Sequence, residues 1–289
     1  VGGVDALASL TTNAAGTTEI NGGLVRTTGA QTYNDAVSGN NATLTSAAAG
    51  GHITANNAAN DFTGALSVNT TGASNVALRD ANALEFGTSA LGTGTLTVNA
   101  VGITQSGAMT QQAGAGAATF NGGTGPITLT LAGNNFTGAV NVSNNGANDV
   151  SVNDANGIAI GTVNIGRNLA VTAGGQIMLP AVATPGSQTY AGTNVVVNGN
   201  LTTTNSPIFV NAPLTLGAAS LFDSGSGDVT FGGTVNGAFA LAVNSTGTTT
   251  FEYAGPAKCI VPPGGVQIGC PTKATVASTR GLPPIQSLP

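Results

Sequence analysis

The chain has no tryptophan, three tyrosines and nine phenylalanines in 289 residues, so no large aromatic core can form. Charge is almost as scarce. Only 6% of the residues are charged, against about 25% in an ordinary soluble domain. Two cysteines and one histidine leave too few soft ligands for a zinc shell. No apolar run approaches the roughly 18 to 20 residues that a membrane-spanning helix needs. Glycine or a β-branched residue interrupts every window that could form an amphipathic helix.

What is present is 44 glycines among many Asn, Thr, Ser, Ala and Val, with 41% of the chain apolar. Disordered chains are poor in apolar residues, so this composition points to order. The apolar residues fall in short alternating runs such as Leu66-Ser-Val68, Leu96-Thr-Val98, Ile127-Thr-Leu129-Thr-Leu131, Val140-Asn-Val142 and Leu241-Ala-Val243. Alternation of this kind predicts strands. Asn follows the run at Val68-Asn69, Val98-Asn99, Val197-Asn198 and Val243-Asn244. Since Asn and Gly tolerate left-handed backbone, these positions read as corners between strands.

The chain also repeats itself. Ile53 to Gly87 returns as Ile127 to Gly161 at a constant offset, with Phe62-Thr-Gly-Ala65, Val68, Gly72-Ala73, Val76, Asp80-Ala-Asn82 and Gly87 all recurring. Self-similarity at this range marks a stack of units that bury their apolar faces only against one another. Sandwiches and propellers need hairpins and a heavier core. A parallel β-helix fits, with about 20 to 25 residues per turn, roughly a dozen turns at about 4.8 Å each, and a repeat of about three turns. Outward Thr, Asn and Ser would stack as like-on-like ladders. Asp80, Asn82, Asp154 and Asn156, at equivalent repeat positions, read as corner residues capped by Asx turns.

Several phrases resemble the repeats of large bacterial exoproteins of the filamentous haemagglutinin family. They are Thr28-Gly-Ala-Gln-Thr-Tyr33, Asp80-Ala-Asn-Ala-Leu84, Thr95-Leu-Thr-Val98 leading to Ile103-Thr-Gln-Ser-Gly107, and Gly227-Asp-Val-Thr-Phe-Gly-Gly-Thr-Val-Asn-Gly237. The resemblance covers roughly residues 1 to 252. It implies a right-handed parallel β-helix, export through a two-partner outer-membrane pore, and a surface fibre acting in adhesion, aggregation or biofilm on a Gram-negative cell. The Asn-Pro-Asn-Leu motif of that family's secretion domain does not occur, and Val1 reads as a cut into a longer array.

The composition changes after Glu252: all eleven acidic residues lie at or before it, while Lys258, Lys273, Arg280 and seven of the twelve prolines lie beyond. The chain therefore divides into a repeat region, 1–252, and a Pro-rich tail, 253–289. In the tail, two apolar runs flank Pro262-Pro-Gly-Gly265 with Cys259 and Cys270 at the ends, a hairpin pattern. In an exported protein such a pair reads as a disulfide, worth about 3 kcal/mol in the loop-entropy model; unpaired thiols or a partial metal site are the alternatives. By resemblance, the tail is a plug held in the pore or periplasm; the plain alternative is a stabilised end cap.

No catalytic set is visible. Arg79 and Arg167 are isolated, and His52 follows a Gly-Gly turn without an acidic neighbour. Only Gly225-Ser-Gly-Asp228 approaches a calcium repeat, and no glycine-rich stretch carries a phosphate-loop Lys. No cofactor or metal is expected. A net charge of −5 argues against nucleic acid. Asn41-Ala-Thr43, Asn135-Phe-Thr137 and Asn200-Leu-Thr202 are glycosylation triplets of a kind that chance supplies in such a chain. The sequence thus predicts a non-enzymatic adhesive fibre whose partners are its pore, a glycan or protein ligand, or copies of itself. Three other readings stay open: a glycan- or receptor-binding module with exposed aromatics around Tyr33 or Tyr190, a polysaccharide-degrading β-helix with convergent carboxylates, and an ice-binding solenoid, for which Thr128-Leu-Thr130 and Thr248-Thr-Thr250 are too sporadic.

Overall fold

The computed structural model describes residues 1–252 in full and, beyond them, the backbone strands Lys273–Val276 and Ile285–Gln286. The described residues are all strand, turn and loop, and within the repeat region every paired strand runs parallel to its partners, so the chain is a parallel β-solenoid. It forms two compact units, Val1–Ile165 and Gly166–Pro289, whose boundary falls inside the repeat region.

In the first unit one face is built from Leu10–Thr11, Gln31–Tyr33, Ile53–Ala55, Val76–Arg79, Leu96–Asn99, Ala118–Asn121, Val140–Ser143 and Ile158–Asn164, in that order. Consecutive strands of this face pair in register, Ile53 with Val76, Val76 with Leu96 and Leu96 with Ala118. Alternate residues point inward, as strand pleating requires. Two apolar columns result: Ile53, Val76, Leu96, Ala118 and Val140, and beside it Ala55, Leu78, Val98, Phe120 and Val142, all buried. Each fully buried Val or Leu contributes about 1.5–3 kcal/mol of transfer free energy, so a core of small side chains is sufficient when every turn repeats it.

The other faces change along the unit. Thr17–Ile20, Ala36–Asn40 and Asp61–Thr63 form a short sheet, and Leu24–Thr27, Thr43–Ser46 and Ala65–Thr70 form the next. Ala65–Thr70 is then succeeded by two strands, Leu84–Phe86 beside its start and Ser89–Leu91 beside Asn69. Ile103–Gln105, Ile127–Leu129 and Val150–Asp154 continue from the former, and Met109–Gln111 from the latter.

This arrangement corrects the expectation that the repeat is about three turns. Three turns from Ile53 lead through Val76 and Leu96 to Ala118, on the same face. The repeat partner Ile127 lies on the following face instead, paired with Ile103 and Val150. Likewise Val76 is on the first face and its counterpart Val150 is not. The unit of recurrence is three turns plus one face. It can be so because each face is the same object locally, a short parallel strand with one side buried.

The second unit has three faces throughout. Gln176–Leu179, Asn194–Val197, Leu214–Leu216 and Val235–Asn236 form one. Val182–Thr184, Leu201–Thr203, Ser220–Gly225 and Ala240–Ser245 form the second. Leu169–Ala173, Gln188–Ala191, Ile208–Val210, Val229–Phe231 and Thr249–Glu252 form the third. Aromatic rings thicken the core near its end, where Phe231 stacks on Phe251 at 4.8 Å between centroids and meets Phe222 edge-on at 5.2 Å.

Corners depend on close backbone approach. A Cβ on Gly138 would stand 2.0 Å from the carbonyl oxygen of Gly116 in the preceding turn, which excludes any side chain there. Among the described residues, Asn41 (φ 51) and Asn205 (φ 54) are the only non-glycines with positive φ. The Asn residues expected at corners therefore need correction. Asn69, Asn99 and Asn244 lie within strands, and Asn198 follows its strand without left-handed backbone. Asn69, Asn99 and Asn244 instead hydrogen-bond to side chains of the neighbouring turn, Thr45, Asn121 and Asp223.

Candidate functional site

The buried polar groups form recurring corner staples. Asp80 Oδ2 accepts the amide of Phe62 at 2.7 Å from the preceding turn, and its Oδ1 accepts the amide of Asn82 at 2.7 Å, an Asx turn. Asp154 does the same with Phe136 at 2.6 Å and Asn156 at 2.8 Å. Asn60 completes the first staple: its Nδ2 donates to the Ala55 and Arg79 carbonyls at 2.8 and 3.1 Å, and its Oδ1 accepts the Val37 amide at 2.8 Å. Asn134 answers it, donating to Leu129 and Asn153 carbonyls and accepting from Met109. Three successive turns are thereby tied together by one side chain.

Burial raises the pKa of Asp80 and of Asp154 above the ordinary aspartate value, against the opposing pull of their two amide donors. Asp35 shows the opposite balance. Hydroxyls of Thr12 and Thr18 donate to its two oxygens at 2.5 and 2.8 Å, and the Thr12 bond above all holds its carboxyl below the usual range.

A second staple contains the tyrosines. Gln31 Nε2 donates to the Val25 and Thr45 carbonyls and to Thr27 Oγ1, and Tyr33 donates its hydroxyl to Gln31 Oε1 at 3.1 Å. Gln188 makes the same set with Val182, Thr202 and Thr184, and Tyr190 donates to Gln188 Oε1 at 3.1 Å. The underlying pattern, Thr27-x-Gly-x-Gln-Thr-Tyr33 and Thr184-x-Gly-x-Gln-Thr-Tyr190, is written in the sequence. Tyr33 is 2% and Tyr190 0% exposed, and burial pushes both phenols up. These two residues therefore offer no exposed aromatic patch, a correction to the glycan-site expectation: each phenol has a buried Gln to bond, which lets the ring enter the core.

His52 is exposed at a corner, where its Nδ1 accepts the amide of Asn75 at 2.9 Å. Among the described residues no three His, Cys, Asp or Glu side chains gather as a metal site would require. Cys259 and Cys270, and with them the expected disulfide, lie outside the described residues.

What the fold brings to the surface is a ladder. On the first face of the first unit, Thr11, Thr32, Thr54, Ala77, Thr97, Thr119 and Asn141 occupy one outward row in strict register. Two residues along runs a second row, Arg79, Asn99, Asn121, Ser143 and Asn164. Members are linked: Asn141 Nδ2 donates to Thr119 Oγ1 at 3.1 Å, and Asn121 Nδ2 to Asn99 Oδ1 at 3.3 Å. A parallel pair on another face joins Asn69 to Thr45. Strand geometry sets the rows about 6.6 Å apart and the rungs about 4.8 Å apart. The sequence hides this surface, because the step between rungs changes from 23 residues (Ile53 to Val76) to 20 (Val76 to Leu96) and no fixed period finds it.

Stacked parallel turns, staples shared between turns and uncharged ladders outside define a repeat protein of the β-solenoid class. In agreement, residues 73–143 and 147–195 match a family described as repeats of unknown function (DUF5649). The first match begins just before Val76 and ends with the strand Val140–Ser143, three full turns. No curated protein and no solved structure matches the chain.

Proposed function

We propose that the chain is a structural and adhesive segment of a secreted fibre on the surface of a Gram-negative cell, and that it performs no catalysis. The observation that carries this reading is the in-register outward ladder from Thr11 to Asn141. It is an extended, nearly uncharged surface with a hydroxyl or amide at almost every rung, suited to many weak parallel contacts rather than to one pocket. The family resemblance of the repeats supports export through a two-partner pore. The ligand class is a glycan or matrix protein, or a further copy of the chain. Against a polysaccharide-cleaving solenoid stands the use of Asp80 and Asp154, whose carboxylate oxygens are each engaged by a backbone amide.

The test is carried out on the native producer. The fibre should be protease-accessible on intact cells, and deleting residues 53–161 in frame should reduce attachment to glycan-coated or matrix-coated surfaces. Material found only inside the cell, or attachment unchanged by the deletion, would overturn the proposal. Ordered water is the second reading that the Thr row favours. Thermal hysteresis in the purified chain would select it, and Ala77 and Asn141 interrupt the row it requires.

A further inference from the structure

Asn followed by Gly occurs six times in the chain, at Asn21, Asn121, Asn145, Asn156, Asn198 and Asn236. The pair has a chemistry of its own. Glycine lacks a Cβ, so its amide nitrogen can swing unhindered onto the Cγ of the preceding asparagine and close a five-membered ring. Closure needs a glycine amide and an asparagine side chain without hydrogen bonds, and room for the backbone to turn.

The fold denies these conditions to most of the six. Gly122 donates its amide to the Ser143 carbonyl at 2.8 Å, and Asn121 is held at both ends, its Nδ2 donating to Asn99 Oδ1 at 3.3 Å and its Oδ1 accepting the Gly123 amide at 3.0 Å. Gly199 and Gly237 are pressed on the preceding turn, where a Cβ would stand 2.7 Å from the Ala181 nitrogen and 2.6 Å from the Leu216 carbonyl oxygen. Asn21 Nδ2 donates to Glu19 Oε2 at 3.1 Å, a carboxylate that opposes the anion formed in the attack.

Asn145-Gly146 meets every condition. It lies at the corner between Val140–Ser143 and Val150–Asp154, and both residues are exposed. Among the described residues neither the Asn145 side chain nor the Gly146 amide has a hydrogen-bond partner. A Cβ on Gly146 would meet only Asn148 Nδ2, at 3.5 Å. Asn156-Gly157 is also exposed and is the next in order.

We propose that Asn145 is a modification site, the first asparagine of the folded chain to deamidate, with water as the only co-reactant. The Gly146 nitrogen gives up its proton to hydroxide and bonds to Asn145 Cγ. The Cγ–Nδ2 bond breaks and ammonia leaves, taking a proton from water. Water then opens the succinimide. Opening at Cγ gives aspartate; opening at the main-chain carbonyl gives isoaspartate, whose free carboxylate is the group that now accepts Asn148 Nδ2 at 2.7 Å. Each event adds one negative charge, two residues beyond Ser143 at the end of an uncharged rung. The inference stands or falls separately from adhesion.

The experiment incubates the purified full chain in mildly alkaline buffer made with heavy-oxygen water and follows the six sites by peptide mass spectrometry. The Asn145 peptide should convert first, as a mixture of aspartate and isoaspartate carrying one solvent oxygen, and faster as pH rises. Asn121 should lag by at least about tenfold, because it reacts only from a locally opened state. In denaturant that lag should vanish. Asn145→Ser, checked for fold by circular dichroism, should remove the leading product. The proposal is overturned if Asn145 stays intact while the unfolded chain reacts, if Asn121, Asn198 or Asn236 keeps pace with it in the folded chain, if the lag persists in denaturant, or if the leading product survives Asn145→Ser.

Discussion

Asp80 reaches back one turn to accept the amide of Phe62 at 2.7 Å, and it is buried where it does so. Removing it leaves the Phe62 and Asn82 amides without their acceptor. Asp80→Ala should therefore cost about 1–3 kcal/mol, the penalty of an unsatisfied buried donor. Asp154→Ala should cost about as much by the same argument. Asp80→Asn should recover only part, because one of its two positions then presents an NH2 to a donor. Thermal and denaturant unfolding of the three variants measures this; losses below the noise would show that the staple is dispensable.

The carboxylates give opposite pH signatures. For Asp80 and Asp154 the folded value lies above the ordinary one, since burial outweighs the hydrogen bonds. The folded state then binds more protons, and their contribution to stability falls as pH rises through the window from the unfolded to the folded value. Asp35, held low chiefly by Thr12, contributes stability above the unfolded value and loses it as pH falls through the folded one. The stability difference between parent and Asp35→Asn should accordingly shrink on acidification, while that for a double Asp80→Asn, Asp154→Asn variant should move the other way.

Gly138→Ala should be strongly destabilising, by about 2 kcal/mol or more, because the added methyl meets the Gly116 backbone, which has no flexible side chain to move aside. Gly22→Ala is the control, with nothing within 4 Å of the new methyl. Equal effects at both positions would show that the turns are not stacked as described.

Thr249 is fully buried, and among the described residues its hydroxyl has no hydrogen-bond partner. Thr249→Val keeps the shape and removes the unpaired group, so unfolding should require about 1 kcal/mol more free energy. A loss of stability would show that the hydroxyl is bonded in solution.

The strands and their parallel stacking were legible because alternation and internal repetition are local signals. Leu66-Ser-Val68 and Val140-Asn-Val142 announce a buried side directly. The relation between Ile53 and Ile127 was not legible, since a sequence offset does not say which face a strand joins. The asparagines were misplaced for a related reason. Asn tolerates left-handed backbone, but Asn99 and Asn121 stay extended and hydrogen-bond to each other between rungs, a gain visible only once the register is known. Tyr33 and Tyr190 look like surface aromatics in a chain this polar, yet Gln31 and Gln188, two residues earlier, supply the partners that let them be buried.

The most direct measurement is the attachment of purified full chain to native glycan and matrix surfaces, beside a variant carrying Thr32→Val, Thr54→Val, Thr97→Val and Thr119→Val. These substitutions remove four hydroxyls from one outward row and leave the buried columns untouched. An adhesive ladder predicts that the parent attaches and the variant, equally folded, loses at least about tenfold in affinity, or about 1.4 kcal/mol. Attachment unchanged in the variant, or none by the parent, would contradict it.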